Sequence, residues 1–342
     1  MDTPNTAATE DRPEHNQGGT YSVPGQEFVR DTRYINTRIV QDGGDVNGSW
    51  NPTTDTYPVE PNRYRLIAAK ACPWANRALI VRNLLGLQDV ISVGMPGPTH
   101  DERSWTFDLD EGGVDPILSI HFLRDAYLKR FPDYPRGITV PAIVDTRDGK
   151  VVTNDYAQIT EDLYYQWKDY HKATAPQLWP DDPAQLAQMR ELMAWIFNEV
   201  NNGVYRAGFA GSQEAYDEAY NRLFAALDLL DQRLATSRFL MGDQITEADI
   251  RLFTTLARFD AVYHGHFKCN RNTLTEFPNL WRYARELYQI PEFGSTIDFE
   301  QIKQHYYGVQ KDINPSGIVP LGPNPDKWLE PVEPITQASC LA

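Results

Sequence analysis

A single cysteine at the start of a predicted helix is the residue in this chain best suited to covalent chemistry. Cys72 is followed by Pro73 and by a helical stretch from Trp74 to Leu85. Proline suits the first position of a helix, so the pattern places Cys72 at the N-cap. Free backbone N–H groups and the helix dipole favour an anion there. The sequence therefore predicts a lowered pKa for the thiol, and a nucleophilic thiolate near neutral pH.

The chemistry of this cysteine is that of a single thiol. The residue three positions after Cys72 is Ala75, so no second cysteine can close an internal disulfide. A mixed disulfide formed at Cys72 therefore needs a second thiol from solution for its release. The alternative interpretation is a small apolar residue at a strand end, since free cysteines are commonly buried.

The elements that must position Cys72 are predicted from the apolar pattern around it. Residues 64–93 are typical of a strand, a helix and a second strand, which implies a parallel strand pair. The segment 94–137 is rich in Pro, Gly and Asp, and its length predicts an inserted functional loop. Residues 138–144 form a β-branched strand that contains Val140-Pro141. Because proline is awkward inside a central strand, we expect a cis peptide that presents the backbone of Val140 to a ligand.

The second half of the chain is predicted to be helical. A proline-rich linker spans 171–183, and a helix over 156–170 precedes it. Beyond the linker, apolar residues recur every three or four positions. Thr246 and Asp249 form a variant of the capping box at one helix start. The predicted helices are 184–201, 213–234, 247–263, 279–289 and 298–306.

Composition excludes several classes of function. The chain has 342 residues, 41% of them hydrophobic, and a formal net charge of -15. Such acidity disfavours nucleic acid and anionic membrane surfaces as partners. No apolar run reaches the roughly 18 residues of a membrane helix, and no signal peptide is recognisable. The three cysteines, Cys72, Cys269 and Cys340, are too few for a disulfide framework and predict a reducing, cytoplasmic location. The neighbours of Cys269 lack the spacing of a metal site.

Several short motifs together resemble one family, the glutathionyl-hydroquinone reductases, which are the Xi class of omega-like cytosolic glutathione transferases. The resemblance runs from about residue 60 to 320 and rests on motifs in this order: Cys72-Pro73-Trp74-Ala75, Trp105-Thr106-Phe107, Val140-Pro141, Asn201 to Phe209, Ile245 to Ile250, Arg258 to Tyr263, His266 to Asn270, His305-Tyr306-Tyr307 and Asn314-Pro315.

The resemblance implies an α/β thioredoxin-like domain followed by an all-α domain. We assign residues 1–62 to an N-terminal arm, disordered over its first 20 residues, and 63–171 to the thioredoxin-like domain with its inserted loop at 94–137. Residues 184–310 form the helical domain, and 311–342 an extended tail. It also implies a homodimer without a bound cofactor.

The family's chemistry implies that the Cys72 thiolate removes glutathione from a glutathionylated hydroquinone. Hydroquinone leaves, the thiol stays on Cys72 as a mixed disulfide, and a second thiol regenerates the enzyme. Two alternatives remain open: a general thioltransferase or dehydroascorbate reductase of omega type, and a non-catalytic binding protein on a transferase fold.

The resemblance also assigns binding residues. Trp105 would lie over the bound thiol, while Val140, with Pro141, would pair with its backbone. Tyr205 and Tyr306 would line the quinol pocket and act in catalysis, with Tyr263 and Tyr307 as further candidates for that pocket. Arg136 would meet a carboxylate of the thiol.

One departure from the family pattern concerns the thiol. The family carries Glu-Ser where this chain has Asp155 and Tyr156, at the position that binds the γ-glutamyl group. Asp155 reaches less far, and Tyr156 would fill the space of that group. We therefore predict a preference for another low-molecular-weight thiol than glutathione, such as mycothiol or γ-glutamylcysteine.

Overall fold

The computed structural model describes residues 21–42, 56–333 and 335. The first 20 residues, which were predicted to be disordered, and Cys340 lie outside the described residues.

The first half of the chain is built on a four-stranded mixed sheet in the order β4-β3-β7-β8. Strands β3 and β4 are parallel, as the strand–helix–strand pattern predicts, and β3–β7 and β7–β8 are antiparallel. The central strand β3 is buried along its whole length. The strands are β3 (Tyr64–Ile67), β4 (Ser92–Gly94), β7 (Ala142–Asp145) and β8 (Lys150–Thr153).

Helix α1 (Pro73–Leu85) connects β3 to β4. Proline occupies its first turn, and Cys72 is the N-cap residue, as predicted. The helix ends at Gly86, whose φ of 77° is the left-handed conformation that glycine adopts without strain. Eleven of its thirteen residues are buried. Because α1 is buried on nearly all sides, its packing fixes the position of Cys72 just beyond the carboxyl end of the central strand β3.

The segment 94–137 is not a simple loop. It contains the hairpin of β5 (His100–Asp101) and β6 (Ser104–Trp105) and the helix α2 (Leu123–Arg130). The abundant Pro, Gly and Asp residues pointed to a loop because they punctuate these short elements. Helix α2 buries only Leu123, Ala126 and Tyr127, so its apolar stripe is too short to be recognised by periodicity.

The second half is helical, as predicted. Two π-helical turns, Phe197–Asn201 and Phe259–Tyr263, follow α4 and α7. The capping box of Thr246 and Asp249 is present at the start of α7. Helix α3 ends five residues earlier than predicted. The helices are α3 (Tyr156–Tyr165), α4 (Pro183–Ile196), α5 (Gly203–Gly208), α6 (Gln213–Leu234), α7 (Glu247–Arg258), α8 (Pro278–Tyr288), α9 (Pro291–Gly294) and α10 (Phe299–Val309).

The N-terminal arm touches both halves of the chain. The backbone N–H of Gly25 donates to the carbonyl of Gly211 at 2.8 Å, beside the helical half. The N–H of Ile35 donates to the side-chain oxygen of Asn154 at 2.7 Å, beside the sheet. Two short parallel strands, β1 (Arg38–Val40) and β2 (Thr56–Pro58), complete the arm. Residues between these contacts therefore pass across the junction of the two halves.

Candidate functional site

A cavity of about 230 Å³ lies at the junction of the sheet, the helical half and the arm. Each of these three parts of the chain contributes side chains that can do chemistry. The residues that line the cavity include Arg30, Asp31, Arg33, Tyr34, Cys72, Trp74, His100, Trp105, Tyr134, Arg136, Thr139, Val140, Asn154, Tyr156, Tyr205, His305 and Tyr306.

Cys72 reaches this cavity from the N-cap of α1. Its backbone is extended, with φ of -81° and ψ of 120°, and the residue is half-buried. The thiol donates a hydrogen bond to the carbonyl oxygen of Val140 at 3.3 Å. The peptide bond between Val140 and Pro141 is cis, as predicted. Pro141 itself is buried, and Val140 is the residue of this pair that lines the cavity.

The protonation state of Cys72 differs from the prediction. Burial raises the pKa of the thiol, and this effect exceeds the lowering by the N–H groups of Ala75 and Trp74 and by the guanidinium groups of Arg258 and Arg30. The helix start does favour the thiolate, but desolvation by the surrounding elements outweighs it. The free enzyme therefore holds Cys72 as a thiol that donates to Val140.

We expect the alkylation of Cys72 by iodoacetamide to reflect this raised pKa. Only the thiolate reacts, so the rate should keep rising with pH through and beyond 9, the ordinary thiol value. The measurement is the second-order rate constant from pH 6 to 10, followed by intact mass. A rate that levels off below pH 8 would restore the lowered pKa that the helix position alone predicts.

Arg258 holds the backbone just before Cys72 by hydrogen bonds. Its buried guanidinium donates to the carbonyl oxygens of Lys70 at 2.8 Å and Ala71 at 3.0 Å, and to Asn76 at 3.1 Å. The last residue of α7 thus fixes the backbone that leads into the N-cap. Sequence reasoning placed Arg258 in a family motif without a role, because its partners lie more than 180 residues away.

Three buried tyrosines form a hydrogen-bonded cluster facing Cys72. The hydroxyl groups of Tyr205 and Tyr306 lie 2.6 Å apart, and that of Tyr263 lies 3.2 Å from Tyr306. Burial raises the pKa of all three phenols, so each is neutral and carries a proton. A neutral phenol can donate to a substrate oxygen that gains negative charge.

Of the four tyrosines predicted for the quinol pocket, two line the cavity. Tyr205 and Tyr306 do so, while Tyr263 does not line it and contacts both of them, with its hydroxyl 3.2 Å from that of Tyr306 and its ring centroid 5.9 Å from that of Tyr205. Tyr307 lies outside the cavity, where its ring packs on His266 with centroids 4.5 Å apart. Successive residues of a helix point about 100° apart, so α10 cannot turn both Tyr306 and Tyr307 to the same cavity.

Trp105 lines the cavity together with two histidines that sequence reasoning did not single out. The Trp105 ring stacks on His305 with centroids 4.9 Å apart, and His100 lies 4.7 Å from Trp105. The Nδ1–H of His305 donates to the carbonyl of Pro98 at 2.8 Å. Burial lowers the pKa of His305 to about 3 and that of His100 to about 4, so both rings are neutral. The His305-Tyr306 sequence was the only signal that could have pointed to His305.

The outer part of the cavity is polar. Arg136 lines it, as expected, but its guanidinium pairs with Asp31 of the arm at 2.6 Å. Arg33 pairs with the same carboxylate at 2.9 Å. The guanidinium groups of Arg33 and Arg136 lower the pKa of Asp31 to about 2, against the effect of burial. A carboxylate is therefore already present where the sequence predicted that Arg136 would receive one from a ligand.

The two residues at the expected γ-glutamyl position have different surroundings. The carboxylate of Asp155 accepts from the N–H groups of Ala157 and Gln158, both at 3.2 Å, and so caps α3. Asp155 faces a neighbouring pocket and does not line the cavity of Cys72. Tyr156 lines both, and its ring lies 4.7 Å from Trp74 and 5.4 Å from Tyr34. The side chain of Tyr156 therefore separates the cavity of Cys72 from the neighbouring pocket that Asp155 lines.

Within the described ranges, no group of three or more His, Cys, Asp or Glu side chains is arranged to hold a metal ion. The helices of the same ranges include none with the length and apolar character that a bilayer span requires.

Comparison with known families matches both halves of the chain. Residues 71–165 match the family profile described as "Glutathione S-transferase, N-terminal domain". Residues 213–286 match "Glutathione S-transferase, C-terminal domain". The two profiles together cover Cys72, the strands β4, β7 and β8 of the sheet, and the helices α6 and α7 with most of α8.

Individual relatives are similar over most of their length. The glutathionyl-hydroquinone reductase YqjG of Escherichia coli strain K12 is 42% identical over 292 residues, which are 84% of this chain and 87% of the relative. A crystal structure of a glutathione transferase from Gordonia bronchialis is 63% identical, with a TM-score of 0.82 over 87% of this chain and 89% of the other. The glutathione-bound structure of YqjG has a TM-score of 0.78 at 38% identity, over 92% and 96% of the chains.

Proposed function

The chain belongs to the glutathione S-transferase family, in the group of the glutathionyl-hydroquinone reductases, and from this we propose that it is a thiol-dependent reductase of S-conjugated hydroquinones. The observation that carries the proposal is the shared cavity: Cys72, Tyr205 and Tyr306 line one space of about 230 Å³. A nucleophile for sulfur and donors for an aromatic oxygen are thereby brought together.

In the first step, Cys72 reacts with the keto tautomer of the conjugate. The Cys72 thiol gives up its proton to water, and the resulting thiolate attacks the sulfur of the conjugate and forms an S–S bond. The C–S bond breaks, and its electron pair moves into the ring, so that the carbonyl oxygen becomes the phenolate of the hydroquinone. The ring is reduced by two electrons while two sulfur atoms are oxidised to a disulfide. Tyr205 and Tyr306 donate to the oxygen that gains charge.

In the second step, a free thiol restores the enzyme. Its thiolate attacks the outer sulfur of the mixed disulfide, a new disulfide is released, and Cys72 leaves as a thiolate. The N–H groups at the start of α1 and the guanidinium groups of Arg30 and Arg258 stabilise that leaving thiolate. The same contacts serve both steps, because Cys72 is an anion when it attacks in the first step and when it leaves in the second.

Intact mass spectrometry tests this proposal directly. The reduced protein is incubated without free thiol, once with glutathionyl-menadiol and once with the mycothiol conjugate of the same quinol. We expect one added thiol mass per chain and stoichiometric release of quinol. Failure of both conjugates to leave an adduct would overturn the proposal.

The omega-type thioltransferase remains the second candidate. It shares the cysteine chemistry but does not need an aromatic-diol pocket. The hydrogen-bonded pair of Tyr205 and Tyr306 favours the quinol reaction, because both phenols line the cavity of Cys72. Turnover of dehydroascorbate faster than of both quinol conjugates would favour the alternative. A scaffold protein would show neither activity.

For the thiol, the surroundings of Tyr156 favour a cosubstrate without a γ-glutamyl head. The N–H groups of α3 that could bind its carboxylate are taken by Asp155, and Tyr156 closes that end of the cavity. γ-Glutamylcysteine has the same head as glutathione, so of the two thiols that the sequence suggested we retain mycothiol. Its neutral polyol would meet the polar groups of Asp31, Tyr134, Thr139 and Asn154 that line the cavity.

The change Tyr156→Ser should shift the preference back toward glutathione. Opening the wall beside α3 gives space to the γ-glutamyl group and adds a hydroxyl that can bind its carboxylate. We expect kcat/KM for glutathione in the second step to rise about tenfold, which corresponds to roughly 1.4 kcal/mol. The rate with mycothiol should not rise. The matched control is Tyr165→Ser, on the same helix but partly exposed. An unchanged ratio of the two thiols would remove Tyr156 from the specificity argument.

The remaining proposals concern organisation. We propose that 63–171 and 184–310 are the two domains of the enzyme, preceded by the arm and followed by the tail. We further propose a homodimer that acts in the cytoplasm, and light scattering after size exclusion measures that oligomeric state.

A further inference from the structure

Arg30 of the N-terminal arm places a positive charge inside the cavity of Cys72. Its guanidinium carbon lies 4.5 Å from the ring centre of Trp74 and 4.6 Å from that of Tyr205. The ring of Phe28 lies 5.3 Å away. The side chain is therefore held between aromatic faces, which fixes its position and removes much of its hydration.

The hydrogen bonds of this guanidinium are incomplete. Its Nε–H donates to the side-chain oxygen of Asn202 at 2.9 Å. One terminal nitrogen is buried and, among the described residues, has no hydrogen-bond partner. The nearby Asp31 does not serve, because its carboxylate pairs with Arg33 and Arg136. The side chain as a whole is half-buried, but this buried donor of a charged group is costly to leave unpaired unless an anion or a polar atom meets it.

The reaction produces negative charge in this same space. The electron pair of the breaking C–S bond ends on the quinol oxygen, next to the hydroxyl groups of Tyr205 and Tyr306. The charge of Arg30 also lowers the pKa of the Tyr205 phenol, opposing the larger effect of burial. Arg30 therefore favours negative charge on the side of the cavity where the leaving group forms.

We propose that Arg30 is a further catalytic residue, which donates its free N–H to the quinol oxygen as this oxygen becomes a phenolate. It completes, with Tyr205 and Tyr306, a three-donor site for the leaving group. This inference rests on the proposed function, and it makes the N-terminal arm a part of the active site.

The test is the single-turnover formation of the mixed disulfide by Arg30→Gln with a series of substituted hydroquinone conjugates. We expect the rate to fall on the order of 10²-fold, the usual effect of losing one oxyanion donor. The loss should be largest for the poorest leaving groups, so the rate should depend more steeply on the pKa of the leaving phenol. Arg30→Lys, which keeps the charge, should recover part of the rate.

Two controls separate catalysis from structure. Val29→Ala changes the exposed neighbour of Arg30 in the same arm, and Arg147→Gln removes one exposed positive charge elsewhere. Both should react like the wild type. If Arg30→Gln does not fold, Arg30→Met replaces it, because its thioether side chain can fill the same aromatic gap.

The results distinguish the proposed reductase function from the proposed role of Arg30. If wild-type protein forms no adduct with either thiol conjugate, the proposed function fails, and this inference fails with it. If wild-type protein reacts but the Arg30 variants lose the same factor for every leaving group, or lose nothing, the inference alone is overturned. A loss that grows with the pKa of the leaving phenol supports it.

Discussion

The change Cys72→Ser is expected to abolish the reductase reaction. A serine hydroxyl is not ionised near neutral pH and does not form the mixed disulfide, so both steps lose their central group. We expect the rate of quinol release to fall on the order of 10⁴-fold or more, the range found when a covalent nucleophile is removed. The measurements are intact mass after incubation with the conjugates, and quinol release under single-turnover conditions.

A matched cysteine change separates this result from a general effect of thiols. Cys340→Ser removes a cysteine that lies outside the described residues, and it should leave the adduct and the rate unchanged. The fold of Cys72→Ser should persist, because the hydrogen bond of the thiol to Val140 is weak and a serine hydroxyl can donate to the same carbonyl. An adduct that persists in Cys72→Ser would show that another group carries the thiol.

The position of Cys72 could be predicted because its determinants are local. Proline at the first turn, the apolar strand before it and the helical pattern after it are all adjacent in sequence. The cis peptide at Val140-Pro141 and the capping box at Thr246 were likewise predicted from neighbouring residues, and both are present. Such features depend on backbone conformation over a few residues, which the sequence pattern specifies directly.

The ionisation of Cys72 could not be predicted in the same way. The helix start acts locally, but burial comes from the arm, the insertion and α10, which are distant in sequence. Arg30 and Arg258 were missed for the same reason, because each gains its role from contacts across more than 170 residues or from another half of the chain. Which arginine side chains lack a carboxylate as an ion-pair partner depends on tertiary contacts, so it is known only from the folded structure.

The surroundings of two assigned residues could have been foreseen from the sequence. Aspartate is a preferred N-cap residue, and a helix was predicted from position 156, so Asp155 could have been assigned to the cap rather than to a ligand. Tyr306 and Tyr307 were both assigned to the quinol pocket, although the predicted helix turns adjacent residues to different sides. In both cases the resemblance to a family was given more weight than the geometry of one helix.

The double change Tyr205→Phe and Tyr306→Phe should impair the quinol reaction while sparing disulfide exchange. It removes two of the donors to the phenolate but keeps both rings, so the first step should slow on the order of 10³-fold. Reduction of a small disulfide such as hydroxyethyl disulfide uses Cys72 alone and should change less than about threefold, within the effect of a modest repacking.

The single variants Tyr205→Phe and Tyr306→Phe measure how strongly the two hydroxyl groups are coupled. The two hydroxyl groups share a hydrogen bond of 2.6 Å, so each single change should cost more than half of the double effect in free energy, and the two should not add. Tyr307→Phe is the matched control, because it is adjacent in sequence but outside the cavity. If the double variant slows both reactions equally, the tyrosines act on Cys72 or on the fold rather than on the quinol, and the omega-type thioltransferase becomes the better description.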